Sequence, residues 1–162
     1  EVVVNEGSDS LVNFRVESDS NTHMIFVDGS ENTVGINTDA PSHTLEVTGS
    51  FLLSGSTHSS YTVRSSAGGY SVAASDNVVI FNNAGAQNAT LPRITTSNQG
   101  IQYYIKNIGG GTVTITGSAG HEQFVDGAQS LALEQGDAAK VIGHALLSGF
   151  GWAVLSYYDK NP

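Results

Sequence analysis

The sequence predicts an all-β chain in two parts: an intertwined β-stalk over residues 1–58, then an antiparallel β-sandwich or jelly-roll head over residues 59–162. Three observations predict it. Apolar residues recur with period two between clusters of Gly, Asn, Asp, Ser and Pro, the spacing of strands and turns. No window carries a convincing helical period. Charged residues are only 13% of the chain, low for a globular domain, and small polar residues take their place.

The stalk is clearest over residues 14–47. Phe14 and Val16 alternate with polar neighbours, and Met24-Ile25-Phe26-Val27 is a short apolar run. Asp28-Gly29-Ser30-Glu31-Asn32 reverses the chain, and Val34 and Ile36 follow with period two. After Asn37-Thr38-Asp39-Ala40-Pro41 comes Leu45-Glu46-Val47. Ahead of this stretch, Val2-Val3-Val4 and Leu11-Val12 around a polar turn predict a short leading hairpin. Each strand offers two or three apolar side chains, too few to enclose a core in so short a stretch. Identical copies of the chain would supply the missing surface.

Phe14-Arg15-Val16, Phe26-Val27-Asp28-Gly29, Val34-Gly35-Ile36 with Thr38, and Pro41 followed by Leu45 and Val47 resemble the repeat of bacteriophage tail fibres and related trimeric fibre adhesins. That family commonly has Gly after the position of Ile36; here it is Asn37, one of the few other residues that tolerate positive φ. The resemblance implies a homotrimeric fibre and covers about a quarter of the chain.

Phe51-Leu52-Leu53 leads into the polar run of residues 54–60, which reads as a linker. Strands are then expected near residues 61–64, 70–73, 78–81, 102–108, 112–116, 123–125, 130–133, 138–145 and 151–158, with Ala89-Thr90-Leu91-Pro92 preceding a turn at residues 95–100. Val78-Val79-Ile80-Phe81 reads as a strand buried on both faces. Gly109-Gly110-Gly111 reads as the turn of a hairpin joining residues 102–108 to 112–116. Ala89-Thr90-Leu91-Pro92, Tyr104-Ile105-Lys106-Asn107, Thr112-Val113-Thr114-Ile115 and Trp152-Ala153-Val154-Leu155-Ser156-Tyr157 resemble the C-terminal heads of phage fibre proteins, less specifically than the stalk repeat.

Composition excludes several classes. Fifteen acidic and six basic residues give a formal charge of −9, which repels nucleic acid and anionic membranes. The basic residues are scattered, with no basic patch along the sequence. No cysteine is present, so disulfides and thiol chemistry are excluded. No apolar run is long enough to span a bilayer, and no signal peptide is visible. The chain starts at Glu1 without a Met and reads as a piece of a longer protein.

Catalytic signals are weak. The glycine triplet lacks the Lys-Ser/Thr and helix of a phosphate loop. No Gly-x-Ser-x-Gly elbow occurs. Glu122 and Asp126 are the nearest thing to a carboxylate pair, but Asp126-Gly127 reads as a turn. His23, His43, His58, His121 and His144 show no ligand-like spacing, although His23 or His43 could meet its copies on a trimer axis; a surface role is favoured, and neither metal nor cofactor is expected. The expectation is therefore a non-enzymatic receptor-binding fibre end on a virion, recognising a bacterial surface glycan. Alternatives are a structural shaft segment or a bacterial surface fibre built from the same modules. Aromatic faces suit sugars, so the candidate receptor-binding residues are Tyr70, His121, Glu122, Phe150 and Trp152, with core packing the competing role for Trp152.

Overall fold

Strands form where the apolar residues alternate. The structure, a computed structural model, describes residues 4, 7–118, 129–146 and 149–160, with the backbone alone at Leu146. Among them are thirteen strands and no helix. The chain divides into two compact units, Glu1–Thr57 and His58–Pro162.

The first unit is a single sheet of β1 (Phe14–Val16), β2 (Ile25–Asp28), β3 (Thr33–Ile36) and β4 (Leu45–Val47), in that order. β1–β2 and β2–β3 are antiparallel, and β3–β4 is parallel. The turn between β2 and β3 is built on Asp28. Its Oδ1 accepts from the Ser30 N–H at 2.8 Å, the Ser30 hydroxyl at 2.6 Å and the Glu31 N–H at 3.2 Å. The Ser30 bonds hold the Asp28 carboxyl below its ordinary pKa. Of the leading hairpin expected before Phe14, residues 7–13 carry turns and no strand. Asp9 accounts for this by accepting the Leu11 N–H on its side chain at 2.9 Å and the Val12 N–H on its carbonyl at 3.1 Å.

The second unit has two sheets around one buried cluster. One sheet runs β13 (Gly149–Tyr158), β12 (Ala138–Leu146), β9 (Gln102–Asn107), β7 (Val78–Phe81), β5 (Tyr61–Arg64). The other runs β11 (Ser130–Leu133), β10 (Val113–Gly117), β8 (Gln87–Leu91), β6 (Gly68–Ser71). Successive strands from β5 to β10 alternate between the sheets, and within each sheet they pair in parallel. Each pair of strands is thus one coil, and the coils β5–β6, β7–β8 and β9–β10 stack. Among the described residues of this unit the antiparallel pairs are β10–β11, β9–β12 and β12–β13. The expected antiparallel head is therefore corrected to a mixed-sheet unit with a parallel coil stack.

The predicted hairpin across residues 102–116 is corrected for the same reason, since β9 and β10 lie in different sheets. The glycine triplet is the corner between them. None of the three has positive φ. Gly109 and Gly111 are needed because a Cβ there would collide with the backbone of Asn83 and of Gly85 in the coil beside them. Asn107, fully buried, finishes the corner. Its amide donates to the Gly111 carbonyl at 2.8 Å and the Leu133 carbonyl at 2.9 Å, and its Oδ1 accepts from the Gly109 N–H at 3.0 Å.

The core holds Val79 and Phe81 of β7, Leu91 of β8, Tyr103 and Ile105 of β9, Val113 and Ile115 of β10, Leu133, Val141 and Trp152. Val79 and Phe81 are fully buried, whereas Val78 and Ile80 are half-buried on the opposite face. The run 78–81 is thus corrected to a strand with one core face. The expected strand 123–125 and turn at Asp126-Gly127 lie outside the described residues.

Candidate functional site

The two faces of the five-stranded sheet follow from its register. Tyr103, Ile105, Ala139 and Val141 point into the core. Alternation places Tyr104, Lys106, Ala138 and Lys140 on the outer face. Antiparallel pairing sets Lys106 and Tyr158 on either side of Ala138, and Tyr104 and Ser156 on either side of Lys140. Parallel pairing extends these rows to Ile80 and Val63, and to Val78 and Tyr61. Ala138 is the small residue among long ones, so a hollow of about 290 Å³ opens around it, lined also by Tyr104, Lys106, Lys140, Ser156 and Tyr158.

Both lysines are held by rings. The Lys140 ammonium lies 4.9 Å from the Tyr104 ring centre, and that of Lys106 lies 5.4 Å from the Tyr158 ring centre. Lys106 also donates to the Gly136 carbonyl. Beside the hollow, Asp137 is 1% exposed. Burial works against its charge, but the N–H groups of Lys160 and Glu134, at 2.9 Å each, and the Tyr157 hydroxyl, at 3.0 Å, hold its pKa below the ordinary value. Asp137 is therefore spent on the fold, anchoring β13 to the turn before β12. Among the described residues no carboxylate lies in ion-pair reach of Lys140. The basic patch that was invisible along the sequence is assembled by strand pairing.

The residues singled out from sequence are placed differently. Trp152 is in the core at 1% exposure, its ring 5.5 Å from that of Tyr103 and its Nε1 donating to the Pro92 carbonyl at 3.2 Å. This corrects its candidacy: a ring sealed on all sides has no face for a sugar. Tyr70 lies in β6, half-buried. The Arg64 guanidinium sits 4.6 Å from its ring centre, Phe81 meets it edge to face at 6.4 Å, and its hydroxyl donates to Asp76 at 2.8 Å. Asp76 also accepts from the Thr62 hydroxyl and the Ala73 N–H, each at 2.8 Å, so this cluster closes the first coil. Phe150 lies in β13, half-buried against the core. His121 and Glu122 lie outside the described residues. Tyr70 and Phe150 both pack against the buried cluster that contains Trp152, so these three serve the core. Sequence reasoning missed Tyr104, Lys140 and Tyr158, whose signal was a Tyr or Lys alternating with core residues on strands of then unknown register.

The first unit has a larger hollow of about 620 Å³, lined mainly by Val4, Val12, Phe14, Val27 and Val34. Among its described residues Phe26 is buried at 8% exposure, and Pro41 is the other buried apolar side chain. Leu11, Phe14, Met24, Ile25, Leu45, Phe51, Leu52 and Leu53 are all exposed. Among the described residues no group of three or more His, Cys, Asp or Glu side chains could hold a metal ion, and no helix is long and apolar enough to cross a membrane. No protein-family model matches the chain, and no curated protein matches its sequence.

Proposed function

We propose that this chain is the distal part of a phage-type fibre, which assembles as a homotrimer and attaches, without covalent chemistry, to a glycan receptor on a bacterial surface. The observation that carries the reading is the bare first unit. Among the described residues, a unit that buries the side chains of Phe26 and Pro41 while Val4, Leu11, Val12, Phe14, Met24, Ile25, Leu45, Phe51, Leu52 and Leu53 stay exposed has little core of its own. Burying apolar surface contributes roughly 25 cal/mol per Å², so the unit gains its stability where copies cover one another. An intertwined stalk of three copies supplies that cover. A stalk holds its tip away from the particle, and the tip then makes first contact with the cell. Three tips on one fibre give avidity to individually weak contacts.

The reading is tested with labelled protein on a panel of bacterial strains, alongside matched strains stripped of capsule and lipopolysaccharide outer sugars. Saturable adherence to some strains, lost with their surface sugars, is expected. Equal adherence to stripped and intact cells, or adherence to none, overturns it.

A further inference from the structure

We propose that the hollow on the outer face of the five-stranded sheet, between Tyr104, Lys140, Lys106 and Tyr158, binds a carboxylate-bearing pyranose unit, an acidic sugar of the hexuronate class. The inference deepens the adhesion reading, on which it rests for its biological setting, by naming the chemistry of the receptor.

The hollow has three properties that fit such a ligand. Its floor is Ala138, and its volume of about 290 Å³ has room for one sugar ring and little more. Its walls are tyrosines that remain open to solvent, Tyr104 at 44% and Tyr158 at 60% exposure. Aromatic side chains pack against the C–H face of a pyranose, and the Tyr158 and Ser156 hydroxyls at the same rim can exchange hydrogen bonds with ring hydroxyls. Its rim carries the Lys140 ammonium, which has a ring beneath it and no carboxylate partner among the described residues. Resting on the ring restricts the lysine before a ligand arrives, so less side-chain entropy is lost on binding.

The acidic chain does not forbid an acidic ligand here. At 0.1 M salt, charges more than about 10 Å away are largely screened. The ligand carboxylate therefore responds to the groups nearby, drawn by Lys140 and Lys106 and opposed by Asp137, Asp159 and Glu134 around Tyr157, rather than to the net charge. A neutral sugar would leave the Lys140 charge unused. A flat protein partner would span the Ala138 depression without filling it. Aromatic walls distinguish the hollow from a site for a bare inorganic anion, which needs donors and no apolar wall.

The test uses the whole chain and tetragalacturonate as the probe. Nuclear magnetic resonance should show tetragalacturonate perturbing Tyr104, Lys140 and Tyr158, with affinity falling as salt is raised. K140E and Y104A should each weaken binding by about tenfold or more, equivalent to about 1.4 kcal/mol. A138L, which fills the depression from the solvent side, should abolish binding while leaving the spectrum of the core unchanged. No perturbation of these residues, equal binding of the fully methyl-esterified tetramer, or equal competition by inorganic phosphate overturns the proposal. A fall in the native oligomer mass in Y104A or K140E also overturns it, because the face would then be a contact between copies. Binding of the probe without adherence to any strain keeps the site and removes the adhesion reading. Adherence unaffected by K140E, together with no response to the probe, removes the site and keeps the adhesion reading.

Discussion

Single polar side chains set much of the local geometry. Asn37 holds a φ of 59°, its amide nitrogen lies 3.4 Å from the Thr48 carbonyl, and its Oδ1 accepts from the Asn21 side chain at 2.8 Å. A glycine would keep the backbone and lose both contacts, which explains what Asn offers at this turn. Tyr103 is the opposite case. Its hydroxyl is buried with no hydrogen-bond partner, and burial, aided by the charge on Asp76, pushes its pKa up to about 12. Tyr70 and Tyr157 are also raised, first by burial and then by Asp76 and Asp137 respectively. Since the folded values exceed the unfolded value of about 10, ionising these groups opposes folding: stability is at its full value below about pH 10 and falls as pH rises through the folded values. A tyrosinate absorbance titration should show Tyr70, Tyr103 and Tyr157 ionising above the ordinary tyrosine value of about 10. Y103F should remove the latest step and raise stability in urea by about 1 kcal/mol, because it deletes an unsatisfied buried hydroxyl. A loss of stability on that substitution would mean that the hydroxyl has a partner.

At the scale of elements, the corner at residues 109–111 decides whether the coils stack. Gly109 and Gly111 touch backbone that cannot move aside, while a Cβ on Gly110 would meet Ala84 at 3.9 Å, an ordinary contact. G109A and G111A should each cost about 1–3 kcal/mol or more, and G110A should stay within about 0.5 kcal/mol. Equilibrium denaturation of the three variants checks this, and three equal costs would exclude the stacking explanation. The triplet shows how a correct signal can be assigned to the wrong structure. A glycine run between two alternating stretches marks a turn or a close approach, and only the neighbouring coil distinguishes them. The strand spans themselves were largely legible. Tyr61–Arg64, Val78–Phe81, Leu45–Val47 and Ser130–Leu133 coincide with strands, because period-two burial is written in each segment alone.

For the whole molecule, the contrast between the units carries the expectation about assembly. Among the described residues the second unit buries Trp152, Tyr103, Phe81 and their neighbours, and the first buries little beyond Phe26 and Pro41. Light scattering on the eluting protein should give three times the chain mass of 16.9 kDa. Replacing Phe14, Phe51 and Leu52 together by Ser should shift it to the monomer, with the strands of the second unit preserved by circular dichroism. A monomeric mass for the unaltered chain would remove the trimer proposal.

The sequence by itself determined the all-β class, the strand positions and the thin apolar stripes of the first unit. Each is a local property, read from neighbours two residues apart. Only the tertiary structure decided which strands pair, and with that the parallel coils, the role of the glycine corner and the burial of Trp152. It also decided that Tyr104, Lys106, Ala138, Lys140 and Tyr158 share one surface. Strand register joins residues far apart in the chain through backbone hydrogen bonds that every residue type except proline can donate to. The identity of a residue therefore does not announce its partner across a sheet.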